Sequence, residues 1–429
     1  MSDAKLIHII GGGTVQHVRT HFAVCAPAYG STARRLKALC HEHPDNNLDA
    51  VLHLTRMAGG ASTLETNEDV GRLVDELVAD NRTKIIFFNP ALCDFRGTVL
   101  DPHLHIKMPS GKHASRLHSS DGEHEMRLVA TEKLVQRIRR TRKDVTLVAF
   151  KATAGATEDE QYIEGLNLLK ASSANLVLAN DTITRLNMII TPEESRYHVT
   201  KDREDALRNL VDMAMLRSHL TFTRSTVVAG EPVPWNSPDV PEALRAVVDA
   251  CIAAGAYKPF RGATVGHFAC KLDDTTFLTS RRKTNFNDLP NVGLVKVKTD
   301  GPDSVIAYGS RPSVGGQSQR IIFSEHPEYD CVTHAHVPMR PGAPDDIPVR
   351  SQREFECGSH ACGKNASAGL KDYDLGDGDR LAAVMLDKHG PNIVFHRSVN
   401  PAKVIAFIER NFNLTQKTGG YVALPKKGA

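Results

Sequence analysis

The chain reads as α/β and as two domains. Three observations predict this. Apolar runs of strand length alternate with amphipathic runs of helix length from about residue 5 to residue 220. Residues 226–241 then gather Gly230, four prolines (Pro232, Pro234, Pro238, Pro241) and the only tryptophan, Trp235. At 429 residues the chain is long enough for two or three domains. The expected division is a first domain at 1–222, a linker at 223–241 and a second domain at 242–429.

The elements follow in order. Lys5 to Ile10 is an apolar strand running into Gly11-Gly12-Gly13-Thr14. A glycine-rich turn after a first strand lets a phosphate approach the backbone; a plain tight turn uses the same residues. Ser31 to Cys40 is helical. In Asn67 to Val78, the residues Val70, Leu73, Val74 and Leu77 recur at helical spacing. Thr83 to Phe88 is a buried strand with Asn89 to Phe95 at its carboxyl end. The helix Thr131 to Arg139 leads to the strand Val145 to Phe150 and then Lys151-Ala152-Thr153. The helix Glu158 to Ser172 leads to the strand Ala174 to Leu178 and then Ala179-Asn180-Asp181. Asp202 to Leu220 is a last helix. Alternation of this kind predicts a mostly parallel, doubly wound, Rossmann-like sheet. Ligands of such sheets bind beyond the carboxyl ends of the strands. Past the proline-rich stretch, Pro241 to Ala254 is a helix with Leu244, Val247, Val248 and Cys251 on one stripe. Trp235 packs that stretch onto a domain more readily than it stacks on a ligand.

Composition bounds the function. The hydrophobic fraction is 41% and the charged fraction 24%, both ordinary for a globular protein. A net charge of +3 argues against a dedicated nucleic-acid binder. No apolar run reaches the roughly 18 residues of a membrane span, and Met1 to Lys5 has no signal-peptide layout. The expectation is a cytoplasmic enzyme with no nucleic-acid or membrane partner. Its eight cysteines show no Cys-x-x-Cys pattern and are expected as thiols.

The second half carries the sharpest chemical signal. His334 and His336 sit two apart in Cys331 to Pro338, a run with strand composition. Residues i and i+2 of a strand share a face, so both imidazoles can meet one ion. A third histidine, His389, follows the apolar run Leu381 to Leu386. Three neutral imidazoles with one open position suit a catalytic zinc, or another divalent metal. Two ordinary histidines on a half-exposed strand would give the same short pattern.

Taken in order, Gly266-His267-Phe268, Thr276 to Ser280, Arg311-Pro312-Ser313, His334-Ala335-His336 and His389-Gly390 resemble the class II aldolase/adducin family, from about Leu244 to Phe412. The resemblance implies an α/β/α domain with a largely antiparallel sheet. It implies metal ligation by His334, His336 and His389, and phosphate contacts from Gly266, Thr279, Ser280 and Ser313. The sequence departs from the family at three places. The glutamate that moves protons there is Gly315 here, and glycine has no side chain to carry a proton. The asparagine of the first turn is His267. The glycine of the second turn is replaced by Arg281-Arg282-Lys283, which would grip a phosphate or carboxylate or form a plain surface cluster. Glu325, Glu354, Glu356 or a metal-bound hydroxide are then the candidate bases.

The first half resembles the phosphopantothenate–cysteine ligase family, over about residues 4 to 220. The residues are Gly12-Gly13-Thr14 with Val18-Arg19, then Pro90 to Phe95, Arg116 to Ser120, Ala149 to Thr153 and Leu178 to Asp181. That family binds CTP or ATP with magnesium and joins a carboxylate to an amine. The resemblance implies nucleotide contacts from Gly12, Gly13, Thr14, Asp94, Lys112, Arg116, Lys151 and Asn180. Cations suit that chemistry because they stabilise developing negative charge; solvated surface charge is the bland reading. The family loop whose asparagine contacts the acyl group reads Ala23-Val24-Cys25-Ala26-Pro27 here.

Three functions follow as expectations. The first is a bifunctional-type enzyme whose zinc half does lyase chemistry on a small phosphorylated or acidic hydroxy-carbonyl. Aldol cleavage, dehydration and epimerisation share an enediolate, so the metal does not choose among them. The second is a CTP- or ATP-dependent ligase. The third is an adducin-like scaffold without catalysis, against which the three histidines count. Both families form homo-oligomers, which implies a dimer or tetramer.

Overall fold

A computed structural model describes residues 5–45, 47–101, 106–314 and 316–420; Gly315 lies outside them. The chain folds as two units, one of residues Met1–Ile190 with His198–Ser218, the other of Thr191–Tyr197 with His219–Ala429.

The first unit contains β1 (Leu6–Arg19), β2 (Phe22–Ala26), α1 (Ser31–Glu42), β3 (Asp49–Leu54), α2 (Asn67–Ala79), β4 (Thr83–Ala91), β5 (Phe95–Val99), β6 (Met126–Ala130), α3 (Val135–Thr141), β7 (Thr146–Thr153), α4 (Glu158–Ser172), β8 (Leu176–Asp181), β9 (Asn187–Ile190), β10 (Arg196–Thr200, whose first two residues count with the second unit) and α5 (Arg203–Ser218). Its sheet runs β10-β9-β8-β7-β4-β1, with β2 and β3 both pairing β1. Strands β3, β1, β4, β7 and β8 are parallel, in the doubly wound order 2-1-3-4-5. Ile7, Ile9, Ile85, Ile86 and Phe87 are fully buried, as strands covered on both faces require. α1 packs on α5, while α2, α3 and α4 pack in succession. Capping boxes start α2 at Thr66 and α4 at Thr157.

The strands here outrun their apolar cores. The expected glycine turn is instead the interior of β1: Gly11, Gly12 and Gly13 pair with Asn89, Pro90 and Ala91. Their lack of a side chain serves packing. A Cβ on Gly11 would lie 2.3 Å from Ala33 Cβ, and one on Gly13 would lie 2.1 Å from the Ala26 carbonyl. Lys151-Ala152-Thr153 and Ala179-Asn180-Asp181 likewise pair with each other as strand ends and not as loops. Ladder hydrogen bonds need only backbone, so pairing continues where apolar composition stops.

The second unit contains β11 (Arg224–Val228), α6 (Glu242–Ala253), β12 (His267–Lys271), β13 (Thr276–Ser280), α7 (Leu289–Val292), β14 (Leu294–Thr299), β15 (Ser304–Tyr308), α8 (Gly316–Glu325), β16 (Cys331–His334), β17 (Val349–Arg350), α9 (His360–Gly369), β18 (Lys371–Gly376), β19 (Asp379–Leu386), β20 (Gly390–Phe395) and α10 (Pro401–Asn411). Its sheet runs β11-β15-β14-β13-β12-β16-β20-β19-β17, with β18 also on β19. Pairing is antiparallel except at β11–β15 and β17–β19. One face packs Leu244 and Val247 of α6 with Val404 and Phe407 of α10; the other packs Ile322 of α8 with Cys362 and Ala366 of α9. The unit is therefore an α/β/α layer structure with a mostly antiparallel sheet. The proline-rich stretch lies inside it. Trp235 is buried edge-on against Phe268 at 5.5 Å, and its indole N–H donates to Asp249. All eight cysteines are free thiols. Among the described residues no helix is long and apolar enough to cross a membrane.

Candidate metal centre

The antiparallel register gathers the site at one end of the second sheet. β13 ends at Ser280 where its neighbour β12 begins at His267. His267 pairs with His334 at the end of β16, and His334 pairs with Asn392 near the start of β20. His336 lies just past its strand, and its ring is 5.0 Å from that of His334 and 4.6 Å from that of His389. The ligand atoms of His334, His336 and His389 all lie within 4.8 Å of one another, and all three residues are buried. Gly390 permits this approach, since a Cβ there would sit 2.1 Å from the Ala335 carbonyl.

The donor chemistry fits a divalent ion. His334 Nδ1–H donates to the Pro391 carbonyl at 2.7 Å, which leaves the Nε2 lone pair facing His389 Nε2 at 3.3 Å. Such a second hydrogen bond is what orients a metal-ligating imidazole. Burial holds the His334 imidazole neutral by lowering its pKa to about 4, against a smaller opposing effect of the Pro391 carbonyl.

A fourth imidazole stands behind the cluster. His267 stacks on His334 with ring centres 4.7 Å apart. Its Nδ1 accepts from Gln319 Nε2 at 2.7 Å, and Gln319 Oε1 accepts from the Thr279 hydroxyl at 2.8 Å. Burial, then the neighbouring His334, holds His267 well below the usual histidine range. The Thr279 hydroxyl, expected on a phosphate, is thus engaged within the protein. Gly266, also expected there, is a close-approach residue whose Cβ would lie 2.6 Å from the His334 carbonyl.

The remaining anion residues separate into two groups. Ser313 N–H donates to the Ser280 carbonyl at 2.9 Å, which joins the two serines. The Ser280 and Ser313 hydroxyls and Arg281 Nε are buried, and no described protein group meets them. An unmet buried donor is costly, which makes these three groups candidates for contact with a polar ligand. Arg281 Nη1 donates to the Val292 carbonyl at 2.7 Å, which fixes the guanidinium. Arg282 and Lys283 are exposed. Of the candidate bases, Glu325 accepts from Lys364 in a cavity lined also by Arg320 and Phe323, with none of the three histidines. Glu354 accepts from the Ser351 hydroxyl at 2.5 Å. Glu356 is buried.

In the first unit the parallel pairing of β1 with β4 ends at Gly12 and Gly13, and Lys151 and Asn180 lie near the carboxyl ends of β7 and β8. Gly12 and Gly13 lie in β1, and Thr14 is buried with its hydroxyl 2.7 Å from Asn67 Oδ1. Lys112 pairs with Glu65, Lys133 with Asp94 and Lys151 with Glu164. Arg116 is exposed, and Asn180 is half-buried in β8. The sequence reading did not single out Gln319; its only signal was the substitution at His267, which calls for a partner.

No family model matches the chain, and no curated protein matches it. Solved structures similar to the two halves are of two kinds, a ligase-type flavoprotein fold and a class II aldolase fold. The DNA/pantothenate metabolism flavoprotein from Streptococcus pneumoniae is 16% identical, over 49% of this chain and 99% of that one, with a TM-score of 0.39. The C-terminal domain of a coenzyme A biosynthesis bifunctional protein is 14% identical, over 50% and 98%, with a TM-score of 0.33. L-fuculose-1-phosphate aldolase from Thermus thermophilus is 18% identical, over 40% and 91%, with a TM-score of 0.28.

Proposed function

We propose that the second unit is a metal-dependent lyase acting on a small hydroxy-carbonyl compound that carries a phosphate or carboxylate. One observation carries the reading: a buried cluster of three imidazoles shares a sheet end with a cradle of unmet buried donors. His334, His336 and His389 would hold the ion, which supplies Lewis-acid polarisation of the substrate's oxygens. Ser280, Ser313 and Arg281 would bind the anionic group through their hydroxyls and Nε–H. That contact orients the substrate with its hydroxy-carbonyl end toward the histidines. Gln319 and Thr279 fix the His267 ring, and His267 in turn packs His334 in place. The same reading makes the first unit a nucleotide-binding module; calorimetry with CTP and ATP tests that separately. Metal content by mass spectrometry tests the centre. About one zinc per chain is expected in wild type and none in His334→Ala. A metal-free wild type from metal-replete preparation would sink the reading.

A further inference from the structure

The residues beside His334 form a row across three strands. His334 in β16 is paired with His267 in β12 and with Asn392 in β20. Residues directly opposite in antiparallel strands share a face, with Cβ atoms about 4.5–5.5 Å apart. The three side chains therefore stand on one face of the sheet. It is the face covered by α8 and α9, where Ala269, Val332 and Val394, each two residues along its strand, pack with Ile322 and Ala366. His267 covers one side of the His334 ring, stacked at 4.7 Å. On the β20 side, His334 Nδ1–H donates at 2.7 Å to the carbonyl of the Pro391–Asn392 peptide, which holds the ring against Asn392.

Asn392 is out of place as a structural residue. Asparagine is depleted in strands, and Asn392 is the one polar residue of β20, all of which is buried. It is 2% exposed. Its carboxamide oxygen is buried and meets no described protein group. An unmet buried acceptor is costly. A leucine there would pack beside Val384, its partner on β19, and Val394 without that cost. The other two members of the row are engaged, His267 by Gln319 at 2.7 Å and His334 by the Pro391 carbonyl. The unmet atom of the row is thus an acceptor, one strand away from a candidate metal ligand.

An amide oxygen accepts hydrogen bonds and does not donate them, so Asn392 calls for a donor. A hydroxy-carbonyl compound with an ionised phosphate or carboxylate offers one donor only, its hydroxyl. We propose that Asn392 reads that hydroxyl by accepting its hydrogen bond at Oδ1, and so selects hydroxylated substrates over their deoxy counterparts. The inference deepens the lyase reading above and rests on it. It gives the two ends of the substrate opposite partners. The anionic end meets the donors Ser280, Ser313 and Arg281, and the hydroxyl end meets the acceptor Asn392 beside His334.

The test is calorimetric titration of full-length, zinc-loaded protein with two probes that differ by one hydroxyl, dihydroxyacetone phosphate and hydroxyacetone phosphate. Wild type is expected to bind the first about 5- to 150-fold more tightly, the range for a buried acceptor left unmet by the second. Asn392→Leu is expected to bring the two dissociation constants within about twofold of each other, with hydroxyacetone phosphate unaffected. Asn392→Asp keeps an acceptor and should keep the preference; its charge shifts both probes together, so the ratio is what is read. Zinc content should match wild type in both variants. No preference in wild type, or a wild-type preference in Asn392→Leu, overturns the role of Asn392 and leaves the lyase reading standing. Equal weakening of both probes in Asn392→Leu, or loss of zinc in either variant, makes Asn392 a structural support of the histidines and also overturns it. Binding of neither probe by a wild type that holds zinc overturns both readings.

Discussion

Zinc binding to the histidine cluster should be readable as stability of the second unit alone. The perturbation is loading and stripping of the metal, in wild type and in His334→Ala. A ligand that binds only the folded state stabilises it by RT ln(1 + [L]/Kd), about 2.7 kcal/mol at a free concentration 100 times Kd. For a unit of roughly 200 residues, each kcal/mol moves the melting midpoint by about 2–4 °C. The expected rise is then about 5–11 °C. The reporter is built in: the only tryptophan, Trp235, is buried in this unit's core against Phe268, the residue after His267. A fluorescence melt therefore follows this unit and not the other. Burial depresses the pKa of the His334 imidazole to about 4, so that ligand is neutral at the pH of the melt. An equal rise in His334→Ala, or none in wild type at saturating zinc, would refute the assignment of these three histidines as a metal site.

Three further outcomes follow from named contacts. Ser280→Ala and Ser313→Ala each remove a buried hydroxyl that has no described protein partner. Each should leave the melting midpoint within a degree or so yet weaken inorganic phosphate binding by about 10- to 150-fold, measured by calorimetry, as loss of a hydrogen bond to a charged group does. Gly11→Ala places a Cβ 2.3 Å from Ala33 Cβ between β1 and α1. It should destabilise the first unit by about 1–3 kcal/mol in urea unfolding followed by circular dichroism. His8 is buried beside His53, and burial first, then that neighbour, lowers its pKa from 6.5 to about 4. The folded state thus resists protonation: the contribution is full above pH 6.5 and is lost as pH falls toward 4, about 3 kcal/mol at most. His8→Leu should flatten the fall of the first unit's melting midpoint between pH 7 and 4.

Much of the fold was legible because the physics is local. The stripe Val70, Leu73, Val74 and Leu77 is buried in α2, at 8% exposure or less. Glu158 to Ser172 forms α4 with the same boundaries. The strand limits were less legible. Composition marks where a strand is apolar, and Gly11 to Gly13 belong to β1 through backbone pairing that composition does not record. In the candidate metal centre, His334, His336 and His389 meet as their spacing and order imply. The residues expected to contact an anion could not be told apart in the sequence. Which buried hydroxyls lack a described protein partner and which, like that of Thr279, are engaged depends on distant residues such as Gln319, forty residues away on α8.

The sequence by itself determined the alternation of strands and helices, the identity of three imidazoles and the loss of a side chain at residue 315, since each is a matter of residue type and short-range period. Tertiary structure alone decided that β13, β12, β16 and β20 bring Ser280, His267, His334 and Gly390 to one sheet end, because strand order and register are set by long-range pairing. It alone decided that Glu194 is buried against Lys417. In sequence, Thr191-Pro192-Glu193-Glu194-Ser195 is a polar turn like many others. Whether such a turn meets water or a site depends on what packs over it, and here the covering residues lie more than 150 positions further along the chain.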